Sequence, residues 1–170
     1  MNKQKGFSLI ELLIVVAIIL IIAAIAIPNL MRARMAANDS SAAGSVRTIN
    51  TAEIAYRDTY PTIGFPATLA ILGGPSPCSP GTATGCLIDN LLATASAGSG
   101  KSGYFFNAAG SASASSLIND EFYSTGTPIS AQTGTRAYCS YEDAVIRLQP
   151  SGIITLVASR AACQPLAPMN

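Results

Sequence analysis

The strongest constraint is a run of 21 residues, Phe7 to Ile27, in which only Ser8 and Glu11 are polar. At about 1.5 Å per residue, a helix of that length reaches roughly 31 Å, one hydrocarbon thickness. A segment apolar on every side belongs in lipid or among other apolar helices. Parts of an ordinary secretory signal are also present: a basic Met1–Lys5 and an Ala24-Ile25-Ala26 that fits a cleavage site. Glu11 works against that reading, as does the length of the run. Lys3 and Lys5 on one flank balance Arg32 and Arg34 on the other, so charge bias sets no orientation.

Composition removes whole classes of chemistry. The 170 residues carry 10 basic and 9 acidic side chains and no histidine. The net charge of +1 gives no basic patch for nucleic acid. The missing imidazole takes away the commonest general base and the commonest metal ligand. The cysteines, Cys78, Cys86, Cys139 and Cys163, include no CxxC pair, which speaks against a zinc ribbon or a redox motif. An even count behind an export-type segment predicts two disulfides in an oxidising compartment, with everything beyond Ile27 facing outward.

Pro28 falls where the apolar run ends, and inside a helix it removes a hydrogen bond and clashes with the preceding turn. Helical periodicity resumes at once, with Met31, Met35, Ala42, Val46, Ile49 and Tyr56 near one face. The pattern predicts one helix kinked at Pro28 and ending before Pro61. From Pro61 the composition turns to Gly, Pro, Ser and Thr, and 61–93 reads as a loop-rich connector in which Cys78 and Cys86 can close a small loop. The small-residue stretches "ATASAGSGKSG" and "NAAGSASASS" are expected to be exposed and mobile. Strands are expected at "GYFFN" and "EFYST", then as an antiparallel meander through "TRAYCSY", "AVIRL" and "IITLV". Strands after one long helix predict an α+β domain whose sheet buries one face on the helix.

The stretch "KGFSLIELLIVVAI" resembles the class III signal of type IV pilins and of the pseudopilins of type II secretion. The resemblance is close over about the first 35 residues and architectural beyond them. It implies a leader of residues 1–6, cut by a prepilin peptidase between Gly6 and Phe7, with methylation of the new Phe7 terminus. It implies a filament-core helix at 7–28, an amphipathic half at 29–60 and a globular head at 61–170. Glu11 then becomes the fifth residue of the mature chain, placed to pair with the Phe7 ammonium of a neighbouring subunit. A Cys139–Cys163 bridge would pin the C-terminus, as pilins commonly do, with Cys78–Cys86 as the second link. Four cysteines nevertheless permit three connectivities, and the residues alone do not choose. The implied partners are further copies of the chain, the peptidase, the inner-membrane assembly machinery and membrane lipid before assembly.

The remaining motifs are weak. Gly100-Lys101-Ser102 mimics the end of a phosphate loop, but Ala95 stands where that loop needs glycine. Asp120-Glu121 and Glu142-Asp143 read as solvated turns, and Asn38-Asp39-Ser40 is a bare glycosylation tripeptide. No catalytic residue, cofactor or metal site is expected. Residues 144–170 hold no acid, whereas major pseudopilins usually carry calcium-binding acids near the C-terminus. The reading is therefore a pilin of an extracellular filament, stored first as a single-pass inner-membrane precursor. The alternatives are a secretion pseudopilin and a membrane-anchored binding module that never polymerises.

Overall fold

The computed structural model describes residues 7–96, 99–149 and 159–169. The chain divides into two compact units, Met1–Arg34 and Met35–Asn170. Helix α1 (Leu9–Thr59) runs through both and continues across Pro28. In the first unit it carries no charge from Leu12 to Met31, and its large aliphatic side chains there are exposed.

In the second unit the helix is amphipathic. Ala42, Val46, Ile49, Ala52 and Tyr56 recur at three- and four-residue spacing and are buried. The expected stripe began at Met31, yet Met31 is 47% exposed and full burial starts at Ala42. Helix α1 stops at Thr59 because Tyr60 precedes Pro61, and a residue before proline avoids the helical region. The chain then turns at Gly64, whose φ of +84° suits glycine. A Cβ there would lie 2.1 Å from the Asn119 carbonyl oxygen.

The sheet is five-stranded and antiparallel, in the order β1 (Tyr104–Ser111), β2 (Glu121–Pro128), β3 (Ala137–Tyr141), β4 (Arg147–Gln149), β5 (Ala167–Pro168). Phe106 and Tyr138 point inward from these strands and, with Tyr104, meet the helix stripe and Leu72 and Leu92 from the connector in the core. Phe122 is buried too, with its ring 4.6 Å from that of Phe65. Gly126 of β2 sits where the helix comes nearest: a Cβ there would be 3.3 Å from Val46 Cγ2 and 3.1 Å from the Phe106 ring. A buried polar bridge fixes the same contact. Ser124 donates to Asn50 Oδ1 at 2.7 Å, and Asn50 donates to Ser140 Oγ at 2.8 Å. The architecture is the expected α+β one, a long N-terminal helix with a sheet on its outer half.

Several details differ from the sequence reading. "NAAGSASASS" is not uniformly exposed: Asn107–Ser111 continue β1, and Ala108 is completely buried. Ala95, from the other small-residue stretch, is buried too and accepts a backbone hydrogen bond from Phe106. Both alanines belong to the hydrophobic core. Residues 61–93 are poor in regular structure, with only a 3₁₀ turn (Leu69–Leu72) and helix α2 (Asn90–Ala93), but they deliver Phe65, Leu69, Leu72 and Leu92 to the interior. The strand expected at "AVIRL" starts only at Arg147, because Ala144 takes a positive φ of 58° after the turn. The last expected strand, "IITLV", lies outside the described residues. The tail adds helix α3 (Arg160–Cys163) and strand β5, neither of which the periodicity indicated.

Cys78 pairs with Cys86 and Cys139 with Cys163, each with Cα atoms 5.9 Å apart. The second bridge ties α3 to β3 and closes a loop of 24 residues. In the chain-entropy picture such a loop contributes about 3 kcal/mol. Replacing Cys139 and Cys163 together by serine is expected to lower the unfolding free energy by that amount, read as a fall in the urea midpoint. The Cys78 and Cys86 pair, separated by 8 residues, should cost less. An unchanged midpoint in the Cys139/Cys163 variant would show that the tail is held by its other contacts.

Candidate functional site

Helix α1 opens just after Phe7, with Leu12 N donating to the Ser8 carbonyl at 3.2 Å. Phe7 is 77% exposed, and Gly6 lies outside the described residues. Glu11 is exposed in the first turn, where the unpaired N–H groups of a helix favour an anion. Among the described residues it has no ion pair and no hydrogen bond. Around and beyond it, Leu9 and Ile10 through Ile27 present large aliphatic side chains at 46–80% exposure. Nothing in the helix's most apolar window, of mean hydropathy 3.3, is buried. Covering one such side chain is worth about 1.5–3 kcal/mol, so the segment as a whole offers tens of kcal/mol to whatever surrounds it. Water cannot be its final solvent. Helix length and composition suffice to cross a membrane.

The acids read as solvated turns are engaged by cations. Glu142 and Glu121 converge on the Arg160 guanidinium, Glu142 in close contact and Glu121 at 3.6 Å. Asp143 binds Arg147 at 2.6 Å. Both guanidiniums lie over Tyr141, at 4.1 Å for Arg147 and 5.6 Å for Arg160. Asp120 instead accepts from the Ser113 amide and hydroxyl. The two Arg160 pairs clasp the tail to the sheet. Asn38 of the glycosylation tripeptide donates its side-chain amide to the Thr133 carbonyl at 2.8 Å, so that nitrogen is already occupied. Its neighbour Asp39 accepts from Tyr104 Oη at 2.5 Å and from Thr135 Oγ1 at 2.7 Å. Burial first, and Asp39 second, hold the Tyr104 phenol well above its usual pKa.

One residue escaped sequence reasoning. Glu53 is fully buried, and neither carboxylate oxygen has a hydrogen-bond partner. Burial pushes its pKa up to about 9, so at neutral pH the group is a neutral acid. Its spacing was a signal: Glu53 lies four residues after Ile49 and seven after Val46, on the buried stripe.

Residues 1–27 match the family described as the prokaryotic N-terminal methylation motif. The chain carries the N-terminal signal of prokaryotic prepilins. It is 65% identical over 40 residues to the type IV wide pilus major component PilA4 of Thermus thermophilus, covering 24% of this chain and 30% of that protein. It is 44% identical over 61 residues to the type IV major pilin protein PilA of Myxococcus xanthus, covering 34% of this chain and 28% of that protein. The matched stretch thus spans under a third of either relative. No solved structure matches the chain. The signal and the apolar helix fit a membrane-anchored precursor, and the disulfide-linked α+β head accompanies them.

Proposed function

We propose that the chain is the structural subunit of a type IV pilus-like filament. A prepilin peptidase cuts between Gly6 and Phe7 and methylates Phe7. The inner membrane holds the mature chain by its 7–28 segment, with the head outside the cytoplasm. The assembly machinery then transfers that segment from lipid into a bundle of identical helices. The observation that carries this reading is the uncovered apolar helix headed by a single unpaired carboxylate. An apolar surface on all sides suits lipid and a helix bundle equally, so the exchange costs little apolar free energy. Glu11 supplies what apolar packing lacks, a fixed register, by pairing with the Phe7 ammonium of a neighbour. Pro28 gives the helix a place to loosen during that transfer, because its ring removes one backbone hydrogen bond. No nucleic acid, cofactor or catalysis enters this function.

Mass spectrometry of subunits from sheared surface filaments tests it. The expected terminus is a methylated Phe7, and Gly6→Leu should leave uncut precursor in the membrane and no filament. A terminus at Ile27 would establish ordinary secretion instead. Filaments confined to the periplasm would assign the chain to a secretion system, and a cut chain that never polymerises would make it an anchored binding module.

A further inference from the structure

Arg32 and Arg34 follow the apolar segment on α1, both exposed, and neither has an ion pair or hydrogen bond among the described residues. The next acid along the helix, Asp39, is committed to Tyr104 and Thr135. Two residues apart, the arginines point to opposite sides of the helix at depths differing by only about 3 Å. They form a collar, not a patch. From Leu12 to Met31 lie 20 residues without a charge, between Glu11 and Arg32. As helix that is about 30 Å, the thickness of a hydrocarbon core. With Glu11 at one headgroup layer, the collar therefore falls at the other. A guanidinium at that depth can send its stem along acyl chains and its planar fork to phosphate oxygens.

We propose that Arg32 and Arg34 bind the headgroups of anionic phospholipids in the leaflet on the head side, and so set the depth at which the stored subunit waits. This rests on the membrane-stored reading above and names the lipid chemistry that reading leaves open. The fit is one of charge and length: two unpaired cations at the level of phosphates, on a segment cut to one hydrocarbon core. On assembly the collar must give up those phosphates, so lipid affinity opposes extraction.

The test reconstitutes the full chain as a monomer in phosphatidylcholine vesicles containing a minor fraction of phosphatidylglycerol. Spin-labelled versions of each lipid report the composition of the immobilised shell around the helix. Wild type should favour phosphatidylglycerol about fivefold, the weight of one interfacial arginine. Arg32→Gln with Arg34→Gln should remove most of that preference, while the lysine pair should keep it. Parity in wild type, or an undiminished preference in the glutamine pair, would overturn the proposal. A chain with no immobilised shell at all would refute membrane storage itself, a result distinct from any of these.

Discussion

Glu11→Ala is expected to abolish sheared filaments while leaving cleavage and the membrane pool intact. The substitution removes a charge from a segment that enters lipid, so insertion becomes easier, not harder. The loss arises on assembly, when a neighbour's Phe7 ammonium enters the helix bundle without a carboxylate to meet it. Breaking a buried ion pair by removing one member costs about 3–5 kcal/mol. Repeated at every subunit, that leaves filament too scarce to detect. Glu11→Gln keeps the shape and should fail nearly as badly, because the amide cannot neutralise the ammonium. The measurement is filament yield against membrane-held subunit for each variant. A wild-type yield from Glu11→Ala would reduce the carboxylate to a tolerated interfacial charge and remove the register mechanism.

The second large effect belongs to Glu53. Its folded pKa, about 9, lies above the ordinary value of 4.5. An acid whose pKa is raised by folding holds its proton in the native state after the unfolded chain has released it. Its cost is therefore absent below pH 4.5, grows as pH rises, and levels off once the folded group also ionises near 9. The slope is about 1.4 kcal/mol per pH unit, so by neutral pH the penalty reaches roughly 3 kcal/mol. That is a large share of the stability of an ordinary domain. Glu53→Gln should flatten urea stability between those limits, and Glu53→Met should also raise it, because it buries no unsatisfied oxygen. Tyr56, the titratable neighbour on the same helix, is itself shifted upward and stays neutral across this window. A wild-type stability that does not fall across this range, followed by near-ultraviolet circular dichroism of the full chain in micelles, would show that water or a cation reaches the carboxylate.

Much of this molecule was legible before any coordinates. The apolar run, the helix continuing past Pro28 and the stop before Pro61 each follow from strong local signals. So do the strands around Tyr104, Phe122 and Tyr138, whose large side chains alternate clearly. What escaped depends on partners distant in sequence. Ala95 and Ala108 look like filler because alanine carries no signal of its own, and only the core that packs around them shows their burial. Strand β5 is two residues long and exists only because β4 offers an edge to it. The convergence of Glu121 and Glu142 on Arg160 joins residues up to 39 positions apart, beyond the reach of any spacing rule. Glu53 differs from these. It sat on a stripe of three- and four-residue intervals, and its charge disguised it. At the candidate site the motif pointed to Glu11 and to the proposed cut before Phe7, whereas the arginine collar needed the unpaired state of both guanidiniums to be seen.

The paired cysteines set how far this head can be drawn out under tension. In the proposed filament, tension would load every subunit, and a head that gave way would lengthen by the chain it released. The bridges withhold stretches of 24 and 8 residues from that release. At about 3.4 Å per residue, some 110 Å of contour stays locked in each opened head. The short loop also fences off part of the connector that carries Leu72 and Leu92 into the core, and the long one ends in the tail beside Arg160. A subunit that yields to force is thus a tether of limited slack, still crosslinked at two points and close to the geometry from which it must recover.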